Sequence, residues 1–388
     1  MPRLADDFVA FVRPLLGSVE PVPLHAPQFA GREKDYVLEA INSTFVSSVG
    51  GFVDRFEAAV AQYTGARHAV ATVNGTAALH TALMLVGTAP GDEVITQPVT
   101  FVATANAIRY CGAEPVFVDV ERETLGLSPE KLERFLRAHA TPGGGGCVNK
   151  TTGRTLRACV PVHTLGHPAR TGALREICDR FGLALVEDAA EALGSFRDGC
   201  HTGRSGQVGI FSFNGNKTIT TGGGGMLVTN DPSLAERAKH LTTTGKLPHP
   251  WAYVHDVVGY NYRMPNLNAA LGCAQLERLP AILQSKRRLA TAYARFFEGK
   301  GVTLLREPPN CRSNYWLNAV ILRDEQQRDD FLRRTHDGGV RTRPLWEPLH
   351  RLSMFRQCQA DDLEEATWIC QRLVTIPSGV KWSGEETR

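Results

Sequence analysis

The chain has 388 residues, of which 43% are hydrophobic and 21% charged, so it can bury a large core and has the composition of an ordered globular protein. Its net charge of +3 is too small to predict binding to nucleic acid or to an anionic membrane surface. Its nine cysteines form no CxxC pair, which argues against a zinc ribbon or a disulfide framework and favours a reducing, cytoplasmic location.

The N-terminal part of the chain is predicted to be helical. Residues 1–17 have the pattern of an amphipathic helix rather than a signal peptide, because Asp6 and Asp7 precede the short apolar stretch and Arg13 interrupts it. Helical spacing also predicts helices over residues 31–43 and 52–63. No run of about 18 apolar residues occurs, so no membrane-spanning segment is predicted.

From His68 onwards the sequence alternates between short β-prone runs and helical segments. The strands are predicted at HAVATV, EVITQ, PVFVDV, RACVPVH and LALVE, and the helices at 77–86, 101–110, 128–139 and 173–181. This alternation predicts an α/β fold with a mostly parallel central sheet flanked by helices. Ligands of such sheets bind beyond the carboxyl ends of the strands. The glycine-rich segment 141–153 is interpreted as a surface loop without a function.

The last third of the chain is predicted to form a separate, smaller lobe. Two helices are expected first, then a mixture of strands and short helices; the helices are predicted at 266–278, 281–297, 326–336 and 361–373. Residues 1–265, with the N-terminal helical segment, are therefore predicted to form a large domain. Residues 266–388 are predicted to form a small C-terminal α+β domain.

A single lysine follows an apolar, β-prone run in VGIFSFNGNKTITTGGGGMLV, residues 208–228. Lys217 stands at the end of this strand, beside apolar neighbours that would desolvate it. Desolvation disfavours the charged form of a lysine and exposes its lone pair, which a Schiff-base lysine requires. The alternative is a hairpin whose turn carries a solvated lysine, and the stretch by itself does not decide between the two.

An acidic pair follows another predicted strand in LALVEDAAEALGS. Asp188 comes directly after the strand and Glu191 three residues later, so Asp188 can face a ligand at the sheet edge. Pyridoxal phosphate needs such a carboxylate, because a partner for the pyridine nitrogen keeps the ring an electron sink. The alternative is that Asp188 caps a helix over residues 189–193.

Three further segments end at the same predicted edge. Gly75 and Thr76 begin a helix after a strand, and free N–H groups at a helix N-terminus suit a phosphate, although a plain N-cap fits equally well. Phe101 opens the next helix and is positioned to lie on a planar ring, with a core position as the alternative. Ser212 has its hydroxyl near the tip of its strand, where it either reaches the same phosphate or is a core serine.

Five motifs occur in order along the chain: Asn74-Gly75-Thr76, Asp188-Ala-Ala-Glu191, Phe211-Ser212-Phe213 through Lys217, Thr221-Gly222, and Gly259 through Pro265. Together they resemble the DegT-type sugar aminotransferases, which are fold-type-I, pyridoxal-phosphate-dependent enzymes that act on nucleotide-linked keto sugars. The resemblance extends over residues 24–377. One departure is that many relatives have an acidic residue within the glycines that follow the lysine, whereas residues 222–225 are all glycine here.

The resemblance implies a role for each candidate residue. Lys217 would bind the cofactor covalently and move a proton, and Asp188 would pair with the pyridine nitrogen. Glu191 would lie near the phenolic oxygen or the substrate. The other implied roles are phosphate binding by Gly75, Thr76 and Ser212, ring stacking by Phe101, and contact by Asn261 with the phosphate of the neighbouring subunit in a homodimer. His163 occupies the position of a family histidine near the cofactor and is predicted to bind substrate, with a plain strand-end histidine as the alternative. Arg343 is predicted to bind substrate because a guanidinium pairs with a diphosphate or a carboxylate through bidentate bonds. The neighbouring Arg341 is a second candidate for a diphosphate or carboxylate, and a solvated basic edge is the alternative for both arginines.

A finer resemblance concerns the substrate. Residues 46–50 (VSSVG), 52–56 (FVDRF), 63–65 (YTG) and 71–80 (ATVNGTAALH) resemble the subgroup that makes UDP-4-amino sugars for legionaminic-acid or bacillosamine-type glycans. The implied reaction moves an amino group from L-glutamate to C4 of a UDP-linked 4-keto-6-deoxy-N-acetylhexosamine, without a metal.

Four alternatives to this function stay open. In the first, the substrate is a different keto sugar, linked to dTDP or GDP and aminated at C3 or C4. In the second, the chain is a non-catalytic regulatory or carbohydrate-binding protein on the same fold. A sugar 3-dehydratase is disfavoured because Lys217 is present. A nicotinamide-dependent enzyme is disfavoured because the first strand–helix turn lacks the dinucleotide fingerprint.

Overall fold

The computed structural model of the chain describes residues 3–16, 21–143 and 146–380. Its helices are α1 (Arg3–Leu16), α2 (Glu33–Asn42), α3 (Gly51–Thr64), α4 (Gly75–Leu85), α5 (Ala103–Tyr110), α6 (Pro129–His139), α7 (Thr171–Phe181), α8 (Pro232–Thr242), α9 (Asn266–Phe297), α10 (Glu325–Asp337) and α11 (Glu364–Cys370). Within those residues, no helix combines the length and the apolar character needed to cross a bilayer.

The strands fall into three sheets. They are β1 (His68–Thr72), β2 (Glu93–Thr96), β3 (Glu114–Phe117), β4 (Ala140–Gly143), β5 (Gly146–Asn149), β6 (Thr155–Val160), β7 (Ala184–Asp188), β8 (Phe196–Arg197), β9 (Cys200–His201), β10 (Val208–Ser212), β11 (Gly225–Thr229), β12 (Thr303–Leu304), β13 (Cys311–Arg312), β14 (Asn318–Ile321), β15 (Arg343–Pro344) and β16 (Leu373–Ile376). The main sheet has the order β1-β11-β10-β7-β6-β2-β3.

The main sheet is parallel except for one strand of this order. The β10–β7, β7–β6, β6–β2 and β2–β3 pairs are parallel, whereas β11 is antiparallel to both of its neighbours. Helices α4 and α5 pack on one face through an apolar cluster that includes Leu79 and Ile108. Helices α6 and α7 pack on the other face with Leu132 and Leu174. The predicted mostly parallel sheet flanked by helices is confirmed.

This topology places several chain segments at one edge of the sheet. Strands β1, β2, β7 and β10 run in the same direction, so their carboxyl ends and the residues that follow them lie side by side. Strand β11 runs in the opposite direction, and its first residue, Gly225, therefore lies at the same edge opposite Thr72 and Ser212. A ligand site at this edge receives residues from at least five strands.

The smaller sheet has the order β12-β14-β16-β15 and is antiparallel throughout. Its apolar cluster contains Val320 and Val374 together with Phe8 of α1. Helix α1 thus packs on the smaller sheet, whereas the N-terminal helical segment was predicted as part of the large domain. The amphipathic helix α1 was predicted, but periodicity does not say which lobe its apolar face covers.

Helix α9 joins the two lobes. Its first half contributes Cys273 and Leu279 to the cluster around Phe56, and its second half contributes Tyr293 to the cluster of the smaller sheet. Two helices were predicted here, but α9 continues through Pro280. An interior proline costs about 3 kcal/mol in a helix. Burial of apolar residues on both sides of it offsets this cost.

The glycine-rich segment contains a hairpin rather than only a loop. Strands β4 and β5 pair in antiparallel fashion, and β5 continues the pairing onto β6 at Leu156. The prediction of an irregular surface loop over 141–153 was therefore wrong for the paired residues, whose glycines and proline gave no β signal. Residues 144–145 lie outside the described part of the chain, as do residues 381–388 of the predicted small domain.

Candidate active site

A cavity of about 380 Å³ opens at the carboxyl edge of the main sheet. Seven of the predicted site residues line it, namely Gly75, Thr76, Phe101, Asp188, Glu191, Ser212 and Lys217. They come from the ends of β1, β2, β7 and β10, as the parallel strand order requires. The structure therefore brings together in one cavity most of the residues that the sequence singled out.

Lys217 is held in the cavity by a carboxylate and an aromatic ring. Its Nζ lies 3.5 Å from Glu191 Oε1 and 4.2 Å from the centre of the Trp316 ring, and its side chain is 13% exposed. Its backbone N–H donates to the carbonyl of Asn214 at 3.0 Å, which closes the turn after β10. The lysine is thus partly desolvated and fixed within the cavity, and it is not the freely solvated turn residue of the alternative interpretation.

Glu191 is buried beside this lysine. Its Oε2 accepts the backbone N–H of Leu165 at 2.8 Å, while its Oε1 faces Lys217. Burial raises the pKa of this carboxyl group, although the Lys217 ammonium opposes the increase. Glu191 therefore binds a proton more readily in the folded chain than in the unfolded one.

This shift predicts how Glu191→Gln changes the pH dependence of stability in the cofactor-free protein. When the pKa of a carboxyl group is raised in the folded state, the folded protein takes up more protons than the unfolded chain as the pH falls from neutral towards the ordinary glutamate pKa. The protein therefore becomes more stable over this pH range. The glutamine does not titrate, so the melting temperature of the wild type should rise relative to that of the variant on acidification. A difference that stays constant, or that moves in favour of glutamine, would contradict the shift.

Asp188 occupies the neighbouring wall of the cavity. Its Oδ2 accepts a hydrogen bond from Thr104 Oγ1 at 2.8 Å, and its Oδ1 accepts the N–H of Ala190 at 3.1 Å. The residues after it form a turn rather than the helix that the capping alternative requires. The carboxylate is fixed in orientation at the end of β7, as a partner for a ligand nitrogen should be.

A possible phosphate site lies at the N-terminus of α4. Asn74 is the N-cap, and its Oδ1 accepts the N–H of Ala77 at 2.7 Å. The first N–H groups of a helix have no intrahelical partner, so those of Gly75 and Thr76 are available to an anion. A Cβ at residue 75 would lie 2.8 Å from Ser212 Cβ. Glycine therefore lets the helix start approach the serine, and both predicted phosphate contacts meet here.

Aromatic residues form the remaining wall. Phe101 is 54% exposed and faces the cavity, which fits a surface for a planar ring better than a core position. Trp316 and Trp346 also line the cavity, and neither was among the predicted site residues. Thr104 was missed as well. Its only signal was its position one helical turn after Phe101.

His163 does not reach the cavity. Its ring is buried, with Nε2 donating to Glu187 at 2.9 Å and Nδ1 accepting the N–H of Ala169 at 3.0 Å. Glu187 precedes Asp188, and successive strand residues point to opposite faces of the sheet. The histidine thus pairs with the carboxylate on the face away from the ligand. This placement outside the cavity lining favours the strand-end alternative over a role in substrate binding.

Arg343 and Asn261 are exposed and lie outside the cavity of their own chain. Arg343 is on β15 at the edge of the smaller sheet, and its role stays a prediction. Asn261 lies between Tyr260 and Tyr262, whose rings stack at 5.0 Å. Tyr262 also contacts His80 of α4 through a 3.2 Å hydrogen bond. The segment that carries Asn261 is therefore anchored to the helix whose first turn forms the phosphate site.

The cavity fits pyridoxal phosphate. It combines an amine, a buried carboxylate with a fixed orientation, helix N–H donors next to a glycine and a serine, and an uncovered aromatic ring. Lys217, Asp188, the start of α4 and Phe101 would hold the aldehyde, the pyridine nitrogen, the phosphate and the ring face. Within the described residues, no group of acidic, histidine or cysteine side chains is arranged to bind a metal ion.

Comparisons with known proteins identify the family of this chain. Residues 27–388 match the model of the DegT/DnrJ/EryC1/StrS aminotransferase family. GDP-perosamine synthase from Escherichia coli O157:H7 is 36% identical over 94% of this chain and 95% of its own length. A putative pyridoxal phosphate-dependent aminotransferase, EpsN, from Bacillus subtilis is 37% identical over 94% of this chain and 92% of its own.

Solved structures show the same fold. The aminotransferase TlmJ from Streptoalloteichus hindustanus superposes with a TM-score of 0.83 and 30% identity, covering 92% of this chain and 93% of that one. The comparisons confirm the predicted fold-type-I architecture, the enzyme class and the cofactor. They do not confirm the UDP-4-amino-sugar subgroup, because the E. coli relative is named for a GDP-linked sugar. The chain belongs to the DegT/DnrJ/EryC1/StrS family and is a pyridoxal-phosphate-dependent sugar aminotransferase.

Proposed function

We propose that this chain is a cytoplasmic enzyme that transfers an amino group from L-glutamate to C4 of a UDP-linked 4-keto-6-deoxy-N-acetylhexosamine. The observation that carries the transfer chemistry is that Lys217 and Asp188 line one cavity at the carboxyl edge of the main sheet. An amine and a fixed carboxylate on separate walls are the two groups that amino transfer with pyridoxal phosphate requires from the protein.

The roles proposed for the side chains follow from their contacts. Pyridoxal phosphate, when bound, supplies an electron sink for the bond that breaks at the substrate carbon. Asp188 holds a proton on the pyridine nitrogen, and Thr104 keeps the carboxylate in that orientation. Lys217 Nζ moves the proton at the substrate carbon, and Glu191 and Trp316 fix where this amine rests.

Two observations favour different nucleotides. The motifs at residues 46–50, 52–56 and 71–80 support a UDP-linked N-acetylhexosamine as the substrate. The relative named GDP-perosamine synthase supports a GDP-linked sugar as the second candidate. Sugar pockets discriminate through a few contacts worth about 1–3 kcal/mol each, so the two substrates should differ clearly in kcat/KM.

The test is a panel of UDP-, GDP- and dTDP-linked keto sugars, offered to the enzyme with L-glutamate. The formation of 2-oxoglutarate and of the amino sugar is followed. We expect the UDP-linked N-acetyl sugar to have a kcat/KM at least about tenfold above the others. A preference for the GDP-linked sugar would establish the second candidate instead. Turnover with a different amino donor only would overturn the assignment of glutamate.

A homodimer with shared sites is also part of the proposal. The segment before Asn261 exposes large apolar side chains, with Trp251 and Tyr253 both 83% exposed and Val258 82% exposed. Exposed apolar residues of this kind are typical of a protein interface. Together with the exposed Asn261, they suit a segment that docks on a second copy of the chain and reaches its phosphate site.

Mixed dimers test this arrangement. Lys217→Ala and Asn261→Ala are each expected to impair both sites of their own homodimers. If Asn261 serves the neighbouring subunit, a mixed dimer of the two variants contains one site in which both residues are intact. Activity should therefore reappear when the two variants are coexpressed. Coexpressed variants that stay as inactive as the separate homodimers would contradict shared sites.

A further inference from the structure

Behind the Lys217 wall of the cavity lies a second lysine that the transfer chemistry does not use. Lys286 is on α9, and its side chain is completely buried. No carboxylate of the described residues pairs with its Nζ. The amine donates instead to three backbone carbonyls, those of Tyr315 at 3.4 Å, Trp316 at 3.1 Å and Ser378 at 2.8 Å.

Burying an amine without a carboxylate partner is costly. Desolvation of an ion is unfavourable even after relaxation, and hydrogen bonds to neutral carbonyls offset only a part of this cost. Burial accordingly lowers the pKa of Lys286 to about 7. An apolar side chain would fill the same space at a lower cost in desolvation. What Lys286 adds in comparison with an apolar side chain is its hydrogen bonds to the three carbonyls.

Two of these carbonyls belong to a strained turn. Tyr315 has a φ of +48°, in the left-handed region that bulky residues rarely adopt. Such a residue is strained and persists only where its surroundings hold it. Asn314 supports the turn from one side, because its Nδ2 donates to the carbonyls of Glu191 at 2.8 Å and Leu193 at 3.0 Å. Lys286 supports it from the other side.

The turn at residues 314–316 positions Trp316, which forms an aromatic wall of the cavity. Trp316 follows Tyr315 directly, and its indole N–H donates to the carbonyl of Asn216 at 2.7 Å. The face of its ring lies 4.2 Å from Lys217 Nζ. A change in the turn would therefore move the Trp316 ring that packs on the Lys217 amine. It would also break the hydrogen bond to Asn216, the residue that precedes Lys217 in the chain.

We propose that Lys286 is a positioning residue for amino transfer, which holds the strained turn at 314–316 and thereby keeps Trp316 against the amine of Lys217. The proposal rests on Lys217 being the amine that binds the cofactor. Among the residues that line the cavity, Lys286 Nζ hydrogen-bonds only to Trp316, through the backbone carbonyl of that residue.

The test compares Lys286→Met with a matched control on the same helix. Tyr293 is also completely buried on α9, and its hydroxyl donates at 2.6 Å to the carbonyl of Pro377, next to Ser378. Tyr293→Phe thus removes a buried hydrogen bond to the same C-terminal segment but leaves the turn at 314–316 untouched. Both variants should lower the melting temperature, so stability alone does not separate them.

The first measurement uses the cofactor-free protein and does not depend on the reaction. Reductive dimethylation of Lys217 is followed by peptide mass spectrometry, with the exposed Lys34 as an internal reference. We expect the labelling rate of Lys217 to rise several-fold in Lys286→Met, because Trp316 no longer shields the amine, and to stay unchanged in Tyr293→Phe. Equal rates in the two variants would overturn the proposal.

The second measurement is the half-reaction of the holoenzyme with L-glutamate. A displaced reacting group lowers kcat more than substrate affinity, so Lys286→Met should lose roughly tenfold in kcat with a KM within about twofold of the wild type. Tyr293→Phe should keep the kcat of the wild type. Raised labelling of Lys217 without any amino transfer in the wild type would leave the positioning intact and reject the proposed reaction instead.

Two more variants keep the proposal testable if Lys286→Met does not fold. Trp316→Phe should by itself raise the labelling of Lys217. Lys286→Gln keeps an amide N–H donor, so it should raise the labelling of Lys217 less than a variant in which the turn is lost completely. Because both changes act through the same ring, the double variant should label no faster than Trp316→Phe alone. Additive effects would show that Lys286 acts by another route, and would overturn the proposal.

Discussion

Lys217→Ala should abolish both the visible absorbance of the bound cofactor and turnover. The alanine has no amine to attach the cofactor or to move a proton at the substrate carbon, and proton transfer by a positioned group alone contributes about 10²–10⁴-fold. We therefore expect a loss of at least about 10³-fold in kcat. The measurements are the absorbance spectrum of the purified protein and the half-reaction with L-glutamate.

The matched control for this change is Lys34→Ala. Lys34 is an exposed lysine on α2, outside the cavity, so its removal should leave the spectrum and kcat as they are in the wild type. A Lys217→Ala protein that retained the absorbance and the turnover of the control would show that another amine binds the cofactor.

Asp188→Asn is expected to have the second largest effect. The amide has nearly the same shape and can still accept the hydrogen bond from Thr104, but it carries no charge to keep the pyridine nitrogen protonated. We expect kcat to fall by about 10²-fold or more, while the cofactor stays attached to Lys217. The kcat and the absorbance spectrum separate these two consequences.

Thr104→Val is the comparison for this variant. It removes the hydroxyl that orients Asp188 Oδ2 but leaves the carboxylate charge, so its loss should be roughly tenfold. The relative size of these two losses in kcat tests whether the charge of Asp188 matters more than its orientation. If Thr104→Val were as damaging as Asp188→Asn, orientation rather than charge would be the contribution of Asp188. An Asp188→Asn enzyme with a kcat close to that of the wild type would contradict the pyridine contact.

The common edge of the parallel strands made much of this site predictable. Thr76, Phe101, Asp188 and Lys217 each follow a separate strand, and strands that run in the same direction bring such residues together. Local pattern was enough to find the strands and their ends. It was also enough to see that a lysine, a carboxylate and a helix N-terminus suit one cofactor.

Residues from the small lobe were not predictable in this way. Trp316 reaches the cavity because the strained turn at Tyr315 directs the chain there, and Lys286 supports that turn from a helix 30 residues away in sequence. Neither a positive φ at a tyrosine nor a long-range hydrogen bond leaves a periodic signal in a sequence. Trp316 was therefore not among the predicted site residues.

Three differences between the predictions and the structure have a related cause. His163 was predicted to end a strand as Asp188 does, but its ring lies on the face to which Glu187 points, so the predicted strand end did not determine the face. Pro280 marks a helix end by local rules, although tertiary burial carries α9 through it. Helix α1 was predicted correctly, yet its partner lobe depends on contacts with Tyr293 that no local pattern contains.

The central claim is that Lys217 is the amine that attaches the cofactor in the cavity it shares with Asp188. Its most direct test is to reduce the holoenzyme with borohydride, digest it and locate the added pyridoxyl mass by mass spectrometry. We expect this mass on the peptide that contains Lys217 and on no other lysine, and its absence from the Lys217→Ala protein. Attachment to a different lysine, or no attachment in a catalytically active preparation, would contradict the account.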